Sequence, residues 1–335
     1  MATTLTPHES VQDSFGAAAP VRGAAIASIG VSMPARIVSN HEVATRLGVD
    51  ADWIERRTGI KARRWAGPDD RLDGHATIAA REALERAGMS PAEVDLVLVA
   101  TTTADEVLPN AAPLVAHALG ATHAGAFDIG AACTGFLSAM AVGCAQIEAG
   151  RASCVVVVGA DFMSRILNRE DKMTAGVFGD GAGAVVLTAI DEASRVGPIM
   201  LGSDGAGAEL IFVEREEALI HMAGHETFRE AVNWLAESTL RAAEAAGVTL
   251  DEIDRFVYHQ ANGRILRAVG EKLELRADRV VDCIAQYGNT SAATLPLALA
   301  FSEDEGGLRP GDRVLIAAFG AGFTWGATVV EWGTP

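Results

Sequence analysis

The sequence lacks long apolar stretches and a secretory signal. None of its apolar runs approaches the roughly 18 residues that span a membrane, so no membrane contact is expected. Residues 1–21 have no basic start followed by an apolar stretch; they are rich in Ala, Thr and Pro, which predicts a mobile N-terminal tail. These absences predict a cytoplasmic protein.

Cysteine and positive charge are also scarce. The chain has only four cysteines, none in the CxxC spacing of zinc or redox sites, so we expect free thiols and no bound metal. Its 27 Lys and Arg against 44 Asp and Glu give a net charge of −17, which disfavours nucleic acid as a partner. An acidic partner would need a local basic patch.

Common nucleotide and hydrolase motifs are missing as well. No GxSxG, HExxH or P-loop pattern occurs. The glycine runs at residues 179–183 and 320–322 do not lie between a strand and a following helix, as a dinucleotide fingerprint requires. We interpret both runs as tight turns with close backbone packing.

The sequence does contain an alternation of strand-like and helix-like segments. Short apolar and mostly β-branched runs, typical of buried strands, lie at residues 94–100, 154–158, 255–258 and 313–318. Segments with small and apolar faces, which predict helices, lie at residues 71–89, 134–149, 226–246 and 291–301. The predicted fold class is therefore α/β and layered.

A weak internal duplication divides the chain. In each half a strand leads into an elbow of small residues, first at residues 127–133 and again at residues 281–289. If the halves pack as a pseudo-dimer, the elbows face each other and bring Cys133 close to Asn289. We predict an N-terminal half at residues 22–192 that carries the nucleophile and a C-terminal half at residues 193–335.

Cys133 lies where a predicted strand meets a predicted helix. Unpaired amides and the positive end of the helix dipole at such an elbow lower a thiol pKa, and the amide of Cys133 itself can donate to an oxyanion. This position favours a nucleophile. Cys144, Cys154 and Cys283 lack it, and we interpret them as small buried hydrophobic residues.

Two polar residues at other strand ends are candidate partners of Cys133. His259 directly follows the strand at residues 255–258, where α/β sheets often place functional groups. Considered alone, His259 fits equally well as a core histidine whose ring nitrogens are hydrogen-bonded within the protein. Asn289, taken alone, is more typical of a turn, with Ser291 as a helix N-cap.

Six motifs occur together between about residue 23 and residue 332. In order, they are WIERRTGI at 53–60, ACTGF at 132–136, GDGAGA at 179–184, HQAN at 259–262, GNTSAA at 288–293 and FGAGFTWG at 319–326. This combination resembles the β-ketoacyl-acyl carrier protein synthase III family of the thiolase superfamily. The resemblance implies duplicated βαβαβαββ halves in a five-layered αβαβα core, and a homodimer.

The resemblance also implies a reaction, decarboxylative Claisen condensation. Cys133 would take an acyl group from acyl-CoA, with the amides of Cys133 and Ala321 as the oxyanion hole. His259 and Asn289 would stabilise the enolate formed from malonyl-acyl carrier protein. Phe319 would guard the sulfur, and neither a metal nor a redox cofactor is expected.

Binding surfaces follow from the same resemblance. The residues expected to contact CoA are Trp53, Arg57, Lys172 and Asn262. Lys172 stands where the family has an arginine, so it keeps the charge but loses the planar fork. The basic residues expected to dock the carrier protein are Arg229, Arg264, Arg267 and Lys272; their alternative interpretation is a solvated helix face. Leu108 replaces an aromatic that many members contribute across the dimer, so the primer is not inferred from relatives.

Two further functions are weighed against condensation in fatty acid or polyketide priming. An acyltransferase of the same fold would load Cys133 and pass the acyl group to an oxygen or nitrogen acceptor in secondary metabolism, but Asn289 favours decarboxylation. A non-catalytic carrier-binding subunit is the third hypothesis. Its usual sign is the loss of a site residue, and none is lost here.

Overall fold

The computed structural model describes residues 22–333, which contain thirteen β-strands and nine α-helices. The predicted tail at residues 1–21 lies outside these described residues. The strands are β1 (Gly23–Ser32), β2 (Ile37–Ser39), β3 (Ala62–Arg64), β4 (Leu96–Ala100), β5 (Gly125–Ile129), β6 (Cys154–Phe162), β7 (Asp180–Ile190), β8 (Met200–Ser203), β9 (Ile211–Val213), β10 (Ile220–Met222), β11 (Arg255–Tyr258), β12 (Arg313–Gly320) and β13 (Thr324–Glu331). The helices are α1 (Asn40–Leu47), α2 (Ala51–Thr58), α3 (Leu72–Ala87), α4 (Ala111–Leu119), α5 (Gly135–Glu148), α6 (Gly224–Ala245), α7 (Gly263–Lys272), α8 (Ile284–Tyr287) and α9 (Thr294–Asp304).

The first half forms a five-stranded sheet in the order β1-β7-β6-β4-β5. Its strands β4, β5 and β6 are parallel, whereas β7 runs antiparallel to both β6 and β1. Every residue of β6 is buried. A strand covered on both faces needs apolar side chains throughout, which explains the continuous valine run that predicted it.

The second half repeats this arrangement in a four-stranded sheet of order β11-β12-β13-β8. Here β11 is parallel to β12, while β13 is antiparallel to both β12 and β8. A single parallel bridge from Phe256 to Val280 occupies the place where β5 lies in the first half. The matching strand order confirms the duplicated, thiolase-like α/β fold.

Helices form three layers around the two sheets. Helices α5 and α9 lie between the sheets, where Phe136, Leu295 and Leu299 are fully buried. Helices α3 and α4 cover the outer face of the first sheet, and α6 and α7 cover that of the second. The result is the predicted five-layered core. Within the described residues no helix is long and apolar enough to cross a membrane.

The two elbows differ from the sequence prediction in one respect. Each central helix is preceded by a 3-10 turn, so α9 begins at Thr294 rather than at Ser291. The first elbow has Ala132 at φ +45° and the second has Ser291 at φ +51°. Left-handed backbone at a residue with a Cβ is costly and cannot continue a helix, so each helix begins only after the turn.

Candidate active site

One cavity of about 890 Å³ lies between the two halves. Cys133 from the first elbow, Asn289 from the second, and His259 from the end of β11 all line it. The structure therefore brings together three side chains that are up to 156 positions apart in the chain (289 − 133). The catalytic roles of these three side chains stay predictions.

Glycines allow each elbow to contact a strand of the other half. A Cβ on Gly159 of β6 would overlap the carbonyl oxygen of Ala292, and a Cβ on Gly320 of β12 would lie 3.0 Å from both the Cβ and the amide nitrogen of Cys133. The glycine run at 320–322 thus permits close backbone approach, as the sequence analysis inferred. This approach also places the amide of Ala321 beside the Cys133 sulfur.

The Cys133 thiol is surrounded by hydrogen-bond donors and lines the cavity, and the residue is only partly exposed. Its pKa is raised to about 12, mainly by burial and in smaller part by the charge of Asp161; the Ser291 hydroxyl and the amides of Cys133 and Ala321 act in the opposite direction. The prediction of a lowered pKa is therefore wrong for the free enzyme. Desolvation disfavours the thiolate more than these donors stabilise it.

This raised pKa predicts how Cys133 reacts with an alkylating agent. Because the thiolate is the reactive form, its rate with iodoacetamide should rise about tenfold per pH unit between about pH 7 and pH 9, without a plateau. Peptide mass spectrometry measures the modified fraction at Cys133 over time. A plateau close to neutral pH would contradict the raised pKa and restore the prediction made from the elbow alone.

His259 is held as a neutral donor or acceptor. The residue is 2% exposed, and burial lowers its pKa to about 3. Its backbone N–H donates to the carbonyl of Ala317 at 2.8 Å, which continues the β11–β12 pairing by one residue. Its Nδ1 lies 2.5 Å from the hydroxyl oxygen of Thr294. The ring is therefore fixed and uncharged at neutral pH.

Asn289 is both a turn residue and a site residue. Its side-chain Oδ1 accepts a hydrogen bond from the amide of Ser291 at 2.9 Å, which is the turn predicted from the sequence. Its backbone N–H donates to Val177 at 3.0 Å, and its carbonyl accepts from Gly179 at 2.9 Å. Asn289 lines the cavity, and since Oδ1 is the acceptor in the turn, the NH₂ group is the one available to a ligand there.

Three buried residues that support the site were missed from the sequence. Thr294 contacts the His259 ring. Asp161 accepts hydrogen bonds from the amide of Ala292 and from the hydroxyls of three consecutive threonines, Thr101, Thr102 and Thr103. Arg63, whose pKa burial lowers to about 10, donates to the Gly176 carbonyl at 2.7 Å. The three consecutive threonines directly after a strand could have been recognised in the sequence as a sign of a polar cluster. No local pattern distinguished Arg63.

The residues expected to bind CoA all line the cavity; they are Trp53, Arg57, Lys172 and Asn262. The guanidinium of Arg57 lies 4.6 Å from the centre of the Trp53 ring. Asn262 caps α7 by accepting from the amide of Arg264 at 2.9 Å and also donates to the Arg57 carbonyl at 3.3 Å. Lys172 is exposed.

The residues expected to dock a carrier protein are exposed and lie on α6 and α7; they are Arg229, Arg264, Arg267 and Lys272. Lys272 donates to the side chain of Asn233 at 2.7 Å, and so links the two helices. Arg264 also lines the cavity, so this face reaches the cavity. The predicted guard, Phe319, lines the cavity and packs against Phe323 with ring centres 4.8 Å apart.

The duplicated five-layer fold, with a cysteine, a histidine and an asparagine meeting between its halves, defines a condensing enzyme of the thiolase-fold class. Two family profiles match: 3-oxoacyl-[acyl-carrier-protein] synthase III over residues 127–205, and the C-terminal part of that synthase over residues 243–332. The chain belongs to the β-ketoacyl-acyl carrier protein synthase III family.

Individual relatives agree with this assignment. β-Ketoacyl-[acyl-carrier-protein] synthase III 2 of Streptomyces coelicolor is 44% identical, covering 92% of this chain and 94% of its own length. Among solved structures, the synthase III of Aquifex aeolicus VF5 is 38% identical with a TM-score of 0.89, covering 92% of this chain and 100% of its own. The priming β-ketosynthase of the R1128 polyketide pathway is 35% identical with a TM-score of 0.90, covering 96% and 99% respectively.

Proposed function

We propose that this enzyme joins an acyl-CoA primer to malonyl-acyl carrier protein by decarboxylative Claisen condensation. The observation that carries the proposal is the arrangement around Cys133. Two backbone amides flank its sulfur, and the side chains of His259 and Asn289 line the same cavity. A nucleophile with an oxyanion hole and two neutral donors is what a two-stage thioester reaction requires.

In the first stage the Cys133 sulfur attacks the thioester carbon of acyl-CoA. The carbonyl oxygen becomes an oxyanion that the amides of Cys133 and Ala321 stabilise. The bond from carbon to the CoA sulfur then breaks, and CoA leaves as the thiol with the proton that Cys133 gives up. Because the pKa of the free thiol is raised to about 12, little thiolate is present before acyl-CoA binds, and we propose that the proton leaves as the sulfur attacks.

In the second stage malonyl-acyl carrier protein loses CO₂, and the electron pair of the broken bond forms an enolate. His259 and Asn289 donate hydrogen bonds to the enolate oxygen. The enolate carbon attacks the acyl carbon on Cys133, the carbon–sulfur bond to Cys133 breaks, and β-ketoacyl carrier protein forms. Cys133 leaves as the thiolate and takes up one proton from solvent, which restores the thiol. Both stages balance without an oxidant, so the expectation that no redox cofactor is needed stands as part of the proposal.

An acyltransferase to an oxygen or nitrogen acceptor is supported less well. Such a transfer needs the oxyanion hole at Cys133 but not two further donors for an enolate. The proposal is tested by incubating the protein with a series of acyl-CoA primers and malonyl-acyl carrier protein. We expect CO₂ and a β-ketoacyl carrier product with at least one primer. Acylation of Cys133 without CO₂ from any primer would favour the acyltransferase.

Binding of the CoA adenine is proposed at Trp53 and Arg57. The adenine would stack on the face of the Trp53 indole that the Arg57 guanidinium now covers, and so would replace the guanidinium there. Replacing Trp53 by alanine should raise the KM for acyl-CoA by about 5- to 100-fold with little change in kcat, the usual cost of one lost base stack. An acyl-pantetheine substrate lacks adenine and serves as the control. Equal effects on both substrates would contradict the assignment.

Docking of the carrier protein is proposed on the basic face of α6 and α7. In a chain of net charge −17, four exposed cations lie on two adjacent helices, and one of them, Arg264, lines the cavity; Arg229 is paired with Glu230. Such a group gives a local charge of the sign that an acidic partner needs. Lys172 lies at the same cavity and would bring a further positive charge to a phosphate of CoA. We expect these contacts to raise the association rate of the carrier protein more than its affinity.

A homodimer is proposed through the open edge of β5. This strand pairs with β4 on one side only, and Phe127 within it is 45% exposed. Val107, Leu108 and Leu201 are also more than half exposed. An unpaired edge with large exposed apolar side chains favours pairing with a second copy. Leu108 would then contact the partner near its primer pocket, while the location in the cytoplasm stays a prediction.

A further inference from the structure

The two expected enolate donors are oriented by one short stretch of chain, residues 289–294. At its start, Oδ1 of Asn289 accepts the Ser291 amide, which leaves the NH₂ group free for the cavity. At its end, the hydroxyl of Thr294 lies 2.5 Å from Nδ1 of His259. In each case this stretch engages one polar atom that can accept a hydrogen bond, and the other polar atom of the side chain remains for the cavity that both residues line.

The Thr294 hydroxyl is itself placed with little freedom. Thr294 is 1% exposed and begins α9, directly after the 3-10 turn of the second elbow. That turn is fixed to the first half, because the amide of Ala292 donates to Asp161 at 3.1 Å. Within the described residues, the hydroxyl makes no other side-chain or backbone hydrogen bond than the one to His259.

The direction of this hydrogen bond determines what His259 offers to the cavity. A neutral imidazole carries one N–H, so one nitrogen donates and the other accepts. If Thr294 donates to Nδ1, the proton is on Nε2 and the ring presents a donor to the cavity. If Thr294 accepts from Nδ1, the ring presents an acceptor, which would repel an enolate oxygen.

We propose that Thr294 is a positioning residue whose hydroxyl donates to Nδ1 of His259 and thereby keeps the ring N–H on Nε2, facing the cavity. The inference rests on the proposed function, in which His259 donates to the enolate. It assigns the Thr294 hydroxyl an effect on decarboxylation and little effect on acyl loading, because loading uses the backbone amides at Cys133.

The half-reactions are measured separately in three variants. Thr294→Val keeps the shape and removes the hydroxyl, and should slow CO₂ release from malonyl-acyl carrier protein by about 10- to 100-fold, by analogy with the loss of a partner that fixes the tautomer of a metal-bound histidine. Thr294→Ser restores the hydroxyl and should return the rate close to wild type. Thr239→Val is the matched control, since it removes an equally buried hydroxyl, which contacts Tyr258. A wild-type rate of CO₂ release in Thr294→Val, or a Thr294→Ser variant as slow as it, would overturn the inference.

The tautomer is also measured directly, without reference to activity. Long-range ¹H–¹⁵N correlation NMR of the whole protein with ¹⁵N-labelled histidine distinguishes Nδ1–H from Nε2–H, and loss of the signal in His259→Asn assigns it. We expect Nε2–H in the wild type. An Nδ1–H tautomer would overturn the inference even in an active enzyme, whereas failure of the wild type to release CO₂ would instead contradict the proposed function.

Discussion

Replacing Cys133 by alanine is expected to abolish acyl loading and condensation while decarboxylation of malonyl-acyl carrier protein continues. Loading needs the sulfur, and removing a catalytic nucleophile typically lowers turnover by at least about 10⁴-fold. The enolate donors, His259 and Asn289, lie on separate elements and keep their hydrogen bonds in this variant. Intact-protein mass spectrometry follows the acyl adduct, and CO₂ release follows decarboxylation.

Cys144 provides the matched control for this variant. It is buried, and burial raises its pKa to about 12. Unlike Cys133, it packs in the core and is not among the residues that line the cavity, so Cys144→Ala should keep the acyl adduct and the condensation. An adduct that persists in Cys133→Ala would show that Cys133 is not the loading site, and loss of CO₂ release together with loading would show that the two stages are not separable as proposed.

Replacing Asn289 by aspartate is expected to have the opposite effect. The change is nearly isosteric, and Oδ1 can still accept the Ser291 amide, but the NH₂ donor becomes an acceptor with negative charge. Loss of one such donor costs about 10²- to 10³-fold, roughly 3 to 4 kcal/mol of transition-state stabilisation. CO₂ release should fall by at least this factor, whereas the acyl adduct on Cys133 should still form.

The control for the aspartate variant is the same substitution at Asn110. This residue is exposed at the N-terminus of α4, away from the cavity lining. Asn110→Asp should have wild-type rates of loading and of CO₂ release. If Asn289→Asp releases CO₂ at the wild-type rate, enolate stabilisation by Asn289 is wrong. If it loses loading to the same degree as decarboxylation, its effect is on the structure of the cavity.

The layers of the fold could be predicted because the burial of each element determines its pattern of apolar and polar side chains. The apolar run at residues 154–158 is continuous because β6 is covered on both faces. The elbow geometry could not be predicted in the same way. Left-handed backbone is usually marked by glycine, but here Ala132 and Ser291 adopt it. The residues that follow them, Cys133 and Ala292, pack closely against glycines of the other half, a contact that local sequence does not reveal.

The site residues were predictable as candidates, but their environments were not. From local sequence, the amides around Cys133 suggested a low pKa; the outcome depends on burial, to which the second half contributes through Gly320 packed against Cys133. Thr294 lies 35 positions from His259, so no spacing rule connects them. For Asn289, the interpretation as a turn residue and the interpretation as a site residue are compatible. The turn uses Oδ1, and the NH₂ group remains available to the cavity.

A single-turnover discharge experiment tests the central claim most directly. The wild-type protein is acylated with a primer that loads, freed of excess acyl-CoA, and mixed with malonyl-acyl carrier protein. The account predicts that the acyl mass on Cys133 disappears with release of one CO₂ per discharged site, and that the carrier protein appears as the β-ketoacyl form. An acyl adduct that remains on Cys133 while CO₂ is released, or that leaves for an oxygen or nitrogen acceptor without CO₂, would contradict it.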